Sequence, residues 1–230
     1  EKECDSYLTF SHYLPRNVAK SVPSIVGVSN LAPFSREAWN SESLTIKMKL
    51  FALKRTILSS SRRSNKVIAL SKECKKILVD NNILDSKIVV CSNGVSAFWK
   101  ETDDKKTLQE FGINKSFILY VSHFHFYKNY SNLVKAYSKL PADIQNSYCL
   151  VLIGNPDNIR CFEEVINLIK SLDLEENVLI FPGLEKQDLR QFYQKTDLFI
   201  FASLIENSPN ILLEAMMAGA PILTTDLAPM

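Results

Sequence analysis

Short apolar runs rich in β-branched residues recur at 24–28, 66–70, 87–91, 117–121, 149–153, 177–181, 198–202 and 221–224. Each has the length and character of a buried strand. Between them, apolar positions return at helical spacing in 44–58, 72–79, 133–140, 162–172, 188–194 and 210–218. Strands alternating with helices predict an α/β fold built on doubly wound parallel sheet. One interval, residues 93–106, is polar and turn-rich, with Asn93-Gly94 followed by a charged run from Lys100 to Lys106. It predicts a domain boundary, with a first domain at 1–99 and a second at 100–230. Only about three strands precede the boundary, and the chain stops just after a strand at Ala228-Pro229-Met230. The expectation is therefore a first domain truncated at its N-terminus and a second that lacks its last elements.

Composition narrows the function classes. With 46% hydrophobic and 23% charged residues, 6 Gly and 9 Pro in 230 residues, the chain is neither disordered nor collagen-like. A net charge of +2 is too small for a dedicated nucleic-acid binder. No apolar run approaches the ~18 to 20 residues that a membrane-spanning helix needs. Cys4, Cys74, Cys91, Cys149 and Cys161 are odd in number, scattered and without CxxC spacing, and read as reduced core thiols of a cytoplasmic protein. The charge is uneven, however. Between Thr45 and Lys76 ten basic residues face Glu73 alone, which leaves 17 basic and 24 acidic residues elsewhere. Such a stretch is either a solvated helix face or a surface that meets something anionic, such as a membrane or a phosphorylated ligand.

The richest segment for chemistry runs from Asp197 to Pro221: a strand, a short loop with Glu206, Asn207 and Ser208, then a helix from about Asn210. Ser208 fits an N-cap and Pro209 a first helical residue. Backbone N–H groups at a helix start, just beyond the carboxyl end of a parallel strand, suit a phosphate. Glu214 stands out, because Ile211, Leu212, Leu213, Ala215, Met216, Met217 and Ala218 leave it no polar face. A carboxylate in a helix expected to be buried calls for a partner, and a ligand's hydroxyls would serve.

The spacing Glu206-x7-Glu214 resembles the motif of the retaining glycosyltransferases of family 4, which have the GT-B fold of two Rossmann-like domains. Four further segments carry the resemblance. Phe117 through Lys128 to Tyr137 is similar to the family's first strand of the second domain with its phosphate-binding loop and helix. Val67 to Ser71 and Lys87 to Val95 resemble the last strands of the first domain. Ser21 to Phe34, with Asn30 and Pro33, is similar to a strand and loop of members that build bacterial lipopolysaccharide and capsule.

The resemblance implies that Glu206 contacts the donor sugar and Glu214 the ribose hydroxyls. Asn207, Ser208, Asn210 and Ile211 would lie at the donor, and Lys128 would neutralise the leaving diphosphate. The family's arginine five residues before that lysine is His123 here, a weaker partner for a diphosphate. His125 reads as packing, and His12 as structural or acceptor-facing.

The expected reaction moves a sugar from a nucleotide diphosphate sugar to a glycan or lipid-linked hydroxyl, with retention. It would take place in the cytoplasm or at the inner face of the membrane, which residues 47–76 could touch. No cofactor and no metal are expected, since the chain has no Gly-x4-Gly-Lys-Ser/Thr loop and no Asp-x-Asp. Three alternatives stay open: a non-catalytic nucleotide- or glycan-binding domain, a peripheral membrane or nucleic-acid module acting through its basic stretch, and a nucleotide-sugar epimerase of the same fold.

Overall fold

A computed structural model describes residues 5–18, 21–102 and 108–227, so Cys4, most of the charged run 100–106 and Ala228 to Met230 lie outside the described residues. The chain forms two compact units. One comprises the described residues of Glu1–Asn93, Ile205–Pro209 and Leu227–Met230, and the other those of Gly94–Leu204 and Asn210–Asp226.

The first unit holds β1 (Tyr7–Thr9), β2 (Ser24–Val28), α1 (Arg36–Ser41), α2 (Leu44–Arg63), β3 (Lys66–Ala69), α3 (Lys72–Asp80) and β4 (Ile88–Val90). Its four strands pair in parallel in chain order. Serines set the helix starts: Ser43 Oγ accepts the Ile46 amide of α2, and Ser71 Oγ the Cys74 amide of α3. Val28, Ile57, Val67, Ala69, Leu78 and Ile88 form the core beneath the sheet.

The second unit contains β5 (Ser116–Val121), α4 (Tyr130–Tyr137), α5 (Ala142–Ser147), β6 (Tyr148–Ile153), α6 (Ile159–Ser171), β7 (Val178–Phe181), α7 (Lys186–Lys195), β8 (Leu198–Phe201), α8 (Asn210–Ala218) and β9 (Ile222–Thr224). All five strands are parallel, in the order β7-β6-β5-β8-β9. β5 and β6 are buried almost end to end, as a parallel strand covered on both faces should be. The strand order reverses between β5 and β8, which makes the carboxyl ends of those two strands the topological switch point.

The predicted α/β architecture with two parallel sheets is the one observed. The units divide after Asn93 rather than after residue 99. Buried Trp99 packs edge-on against Tyr193 at 5.5 Å, and Gln194 Nε2 donates to Trp99 O and Glu101 O at 3.0 and 2.9 Å. Buried Arg190 donates to Phe98 O and lies 4.4 Å from the Phe98 ring centre. Residues 97–101 are thus fastened to α7. Of the cysteines, Cys74, Cys149 and Cys161 are buried free thiols, whereas Cys91, expected in the core, is exposed.

Candidate functional site

The switch point is assembled from two loops. After β5 the chain passes His123 and His125, makes a 3-10 turn at Phe126–Lys128, and enters α4 through Asn129 at φ 66°. Asparagine tolerates that left-handed conformation, so the chain turns directly after Lys128. Tyr120 OH donates to Lys128 O at 2.7 Å, and Leu204 N donates to Tyr127 O at 2.8 Å, which ties the loop after β5 to the end of the β8 strand. On the β6 side, Gly154 lets the backbone pass close to Ser122, since a Cβ there would sit 1.6 Å from Ser122 O. Lys128 Nζ lies 5.3 Å from the Tyr127 ring centre. His123 Nδ1 is 2.9 Å from Asp157 Oδ2, and a carboxylate beside the imidazole opposes the anion expected there. His125 stacks on Tyr127, centroids 5.3 Å apart, which fits the packing role expected of it.

Beside α8 is a cavity of about 830 Å³ within the second unit, with Asn210 and Glu214 on one wall, Gly94 to Ser96 on another and Glu185 to Asp188 at the start of α7. Burial holds the Glu214 carboxyl above the usual carboxylate range, opposed by a hydrogen bond from Tyr193 and by the nearby Lys186 ammonium. Tyr193 OH donates to Glu214 Oε2 at 3.4 Å. Glu214 and Asn210 thus share one cavity, which Lys128 and His123 do not line. Half-buried Ile211 does not line it either.

Two expectations about this segment are corrected. α8 is not a buried helix, for only Leu212 and Ala215 are buried and Met216 is 60% exposed. Ser208 Oγ accepts the Asn93 amide at 3.1 Å, and the helix begins at Asn210, so Pro209 precedes the helix instead of opening it. Asn207 is buried, its Oδ1 accepting from Ser71 Oγ and its Nδ2 donating to Val28 O, both at 2.9 Å. Its side chain is therefore committed within the first unit. Glu206 is half-buried in the same loop. His12, at φ 64°, places Nδ1 3.3 Å from Gly27 O and Nε2 3.3 Å from Ser29 Oγ.

Sequence reasoning missed the walls at 94–96 and 185–188. The only local signal was the Asn93-Gly94 turn. Among the described residues, no group of three or more His, Cys, Asp or Glu could hold a metal ion.

The chain is 28% identical over 165 residues to a Campylobacter jejuni N-acetylgalactosamine-N,N'-diacetylbacillosaminyl-diphospho-undecaprenol 4-alpha-N-acetylgalactosaminyltransferase, covering 71% of this chain and 42% of the relative. It is 28% identical over 179 residues to the Escherichia coli serotype-specific mannosyltransferase WbdA, covering 74% of this chain and 22% of that protein. The crystal structure of Anabaena HepE in complex with UDP-glucose superposes with a TM-score of 0.74 at 19% identity, over 89% of this chain and 54% of that one. That of WaaG, a glycosyltransferase involved in lipopolysaccharide biosynthesis, gives 0.74 at 18% identity, over 97% of this chain and 60% of that one. The chain thus spans about half the length of these structures and less than half of the two curated relatives. The fold they share with it is GT-B. Residues 101–230, more than half of the chain, match the family described as glycosyl transferases group 1, and the chain belongs to that family.

Proposed function

We propose that this chain carries the donor-binding part of a glycosyltransferase that moves a sugar from a nucleotide diphosphate sugar to a hydroxyl of a glycan or lipid-linked sugar, with retention of configuration, in bacterial surface polysaccharide assembly. The observation that carries the reading is Glu214: a half-buried carboxylate at a large cavity, beside the N-terminal turn of a helix that follows the switch-point strand. Ribose hydroxyls would donate to its oxygens and restore the solvation that burial removes. Asn210 stands one helical turn away, and the amides of the first turn of α8 suit the diphosphate. Relatives support the donor class, because HepE was crystallised with UDP-glucose and with UDP. They also support a lipid-linked acceptor, which the name of the Campylobacter relative contains.

In the reaction the acceptor oxygen replaces a diphosphate oxygen at the anomeric carbon. The leaving diphosphate takes the bonding electrons, and its freed oxygen accepts the proton that the acceptor hydroxyl gives up. Lys128 meets the charge that grows on the leaving group, and Glu206 orients the donor sugar. In this reading no metal or cofactor is needed to neutralise the diphosphate. The protein would work at the cytoplasmic face of a membrane, with residues 47–76 toward anionic lipid.

A thermal-shift screen of nucleotide sugars, followed by transfer assays with glycan and lipid-linked acceptors, tests the reading. At least one nucleotide sugar should raise Tm and Glu214→Ala should remove the shift. No shift with any nucleoside diphosphate sugar would overturn it.

A further inference from the structure

α2 carries six basic residues and no acid. Leu44, Met48 and Phe51 on it are 77, 67 and 52% exposed, although Ile57 on its other side is fully buried. At 3.6 residues per turn, these three and Arg55 fall within an arc of about 60°, a stripe about 16 Å long pointing away from the core. The stripe ends at a hollow of about 260 Å³ lined by Arg16, Arg55, Arg63, Tyr13 and Ser59, with Thr56 and Ser60 beneath.

The hollow is held in shape by the segment before Arg16. Leu14 N donates to Ser60 Oγ at 3.0 Å, and the Arg63 guanidinium donates to Leu14 O and to Pro15 O. Arg63 therefore has a structural task. Arg16 and Arg55 have no ion pair with any described residue, and Arg55 only rests 5.6 Å from the Phe51 ring centre. No carboxylate lines the hollow. Three arginines lining one hollow without a counter-charge give it a positive potential, which an anion with several oxygens would neutralise. Guanidinium forks match phosphate oxygens two at a time, and the Ser59 and Tyr13 hydroxyls add neutral donors. A free phosphate would leave the exposed apolar stripe without a use, whereas an amphiphile engages both features.

We propose that this hollow holds the diphosphate of a lipid-linked molecule, with the first part of its hydrocarbon chain lying along Leu44, Met48 and Phe51. Naming that molecule as the acceptor rests on the function proposed above; the site itself does not depend on it.

Farnesyl diphosphate, inorganic pyrophosphate and farnesol are suitable probes, titrated against the protein by calorimetry. Farnesyl diphosphate should bind about tenfold or more tightly than pyrophosphate, and farnesol hardly at all. The double variant Arg16→Gln, Arg55→Gln should lose at least about tenfold for both diphosphates. Met48→Ser with Phe51→Ser should weaken farnesyl diphosphate and spare pyrophosphate. Should the double arginine variant unfold, Ser59→Glu at an exposed position should give the same loss by charge repulsion.

Failure of both diphosphates to bind, or unchanged binding by the arginine or Ser59 variants, overturns the proposal. So does farnesyl diphosphate binding no tighter than pyrophosphate, which would leave the apolar stripe without a part in the site. UDP-induced thermal shift, read in parallel, separates the two proposals. If UDP binding is absent while farnesyl diphosphate binds, the donor reading falls and this site stands. The converse result removes only the lipid site.

Discussion

At the scale of single residues, Glu214 shows how a site can be at odds with stability. Its carboxyl sits above the usual carboxylate range, first because burial disfavours the charge, with Tyr193 and Lys186 opposing. A carboxyl whose folded value is raised adds most to stability at low pH, and the advantage is lost as pH rises through that folded value. At pH 7 the full cost of holding the charge is present. Glu214→Gln should therefore raise Tm at pH 7, and the difference should fade as the pH drops below the usual carboxylate range, where both side chains are neutral in the folded and unfolded chain. The same substitution should weaken nucleotide binding by ~1.5 to 3 kcal/mol, the range for a hydrogen bond to a charged group. Calorimetric titration of the nucleotide chosen by thermal shift checks this, and unchanged affinity would remove Glu214 from the site. Lys128 is expected to behave differently because the charge it meets grows as the sugar–phosphate bond breaks. Steady-state kinetics of Lys128→Ala should show kcat falling more than donor affinity, whereas a rise in KM alone would assign it to ground-state binding.

At the scale of elements, the loop between β8 and α8 matters more for its anchoring than for its exposure. Asn207 bridges the Ser71 hydroxyl and the Val28 carbonyl, and Ser71 also caps α3 through the Cys74 amide. Removing the amide strands two buried polar groups, so Asn207→Ala should cost about 1 to 3 kcal/mol in denaturant unfolding. If stability is unchanged and nucleotide binding is lost, the side chain serves a ligand instead. Loop-carried roles of this kind were only half legible in the sequence. The strand at 24–28 could be read to the residue, because β-branched apolar residues and flanking polar residues agree there. α2 continues to Arg63, beyond the expected residue 58, because Ser60 and Ser61, which read as loop, are buried and Ser60 receives the Leu14 amide. β1, with three residues, and α1 and α5, with six each, are too short to show a period. Glu214 was conspicuous as the one charge in an apolar helix. The cavity walls at 94–96 and 185–188 were not, since only tertiary packing brings Trp99 and α7 together.

At the scale of the whole molecule, the basic stretch from Lys47 to Lys76 resolves into parts with different tasks. Lys75 pairs with Asp85 at 2.8 Å, Lys66 donates to Ser86 O at 2.9 Å, and Arg63 holds the turn before Arg16. These act inside the fold. Lys47, Lys54 and Arg62 lie on α2 outside the arginine hollow, Arg62 with one guanidinium nitrogen donating to Asn81 O at 3.0 Å, and each can contribute on the order of 1 kcal/mol near an anionic leaflet. That attraction fades within a Debye length, about 8 Å at physiological salt, so it should be strongly salt-dependent. A discrete diphosphate site held by Arg16 and Arg55 in a partly enclosed hollow should resist salt better. No helix among the described residues is long and apolar enough to cross a membrane. Charge reversal at Lys47, Lys54 and Arg62 should abolish salt-sensitive binding to phosphatidylglycerol vesicles in co-sedimentation while leaving farnesyl diphosphate and nucleotide affinity within about twofold. If the wild-type protein ignores such vesicles even at low salt, these three cations form a solvated helix face, and the arginine hollow alone would carry any attraction to lipid.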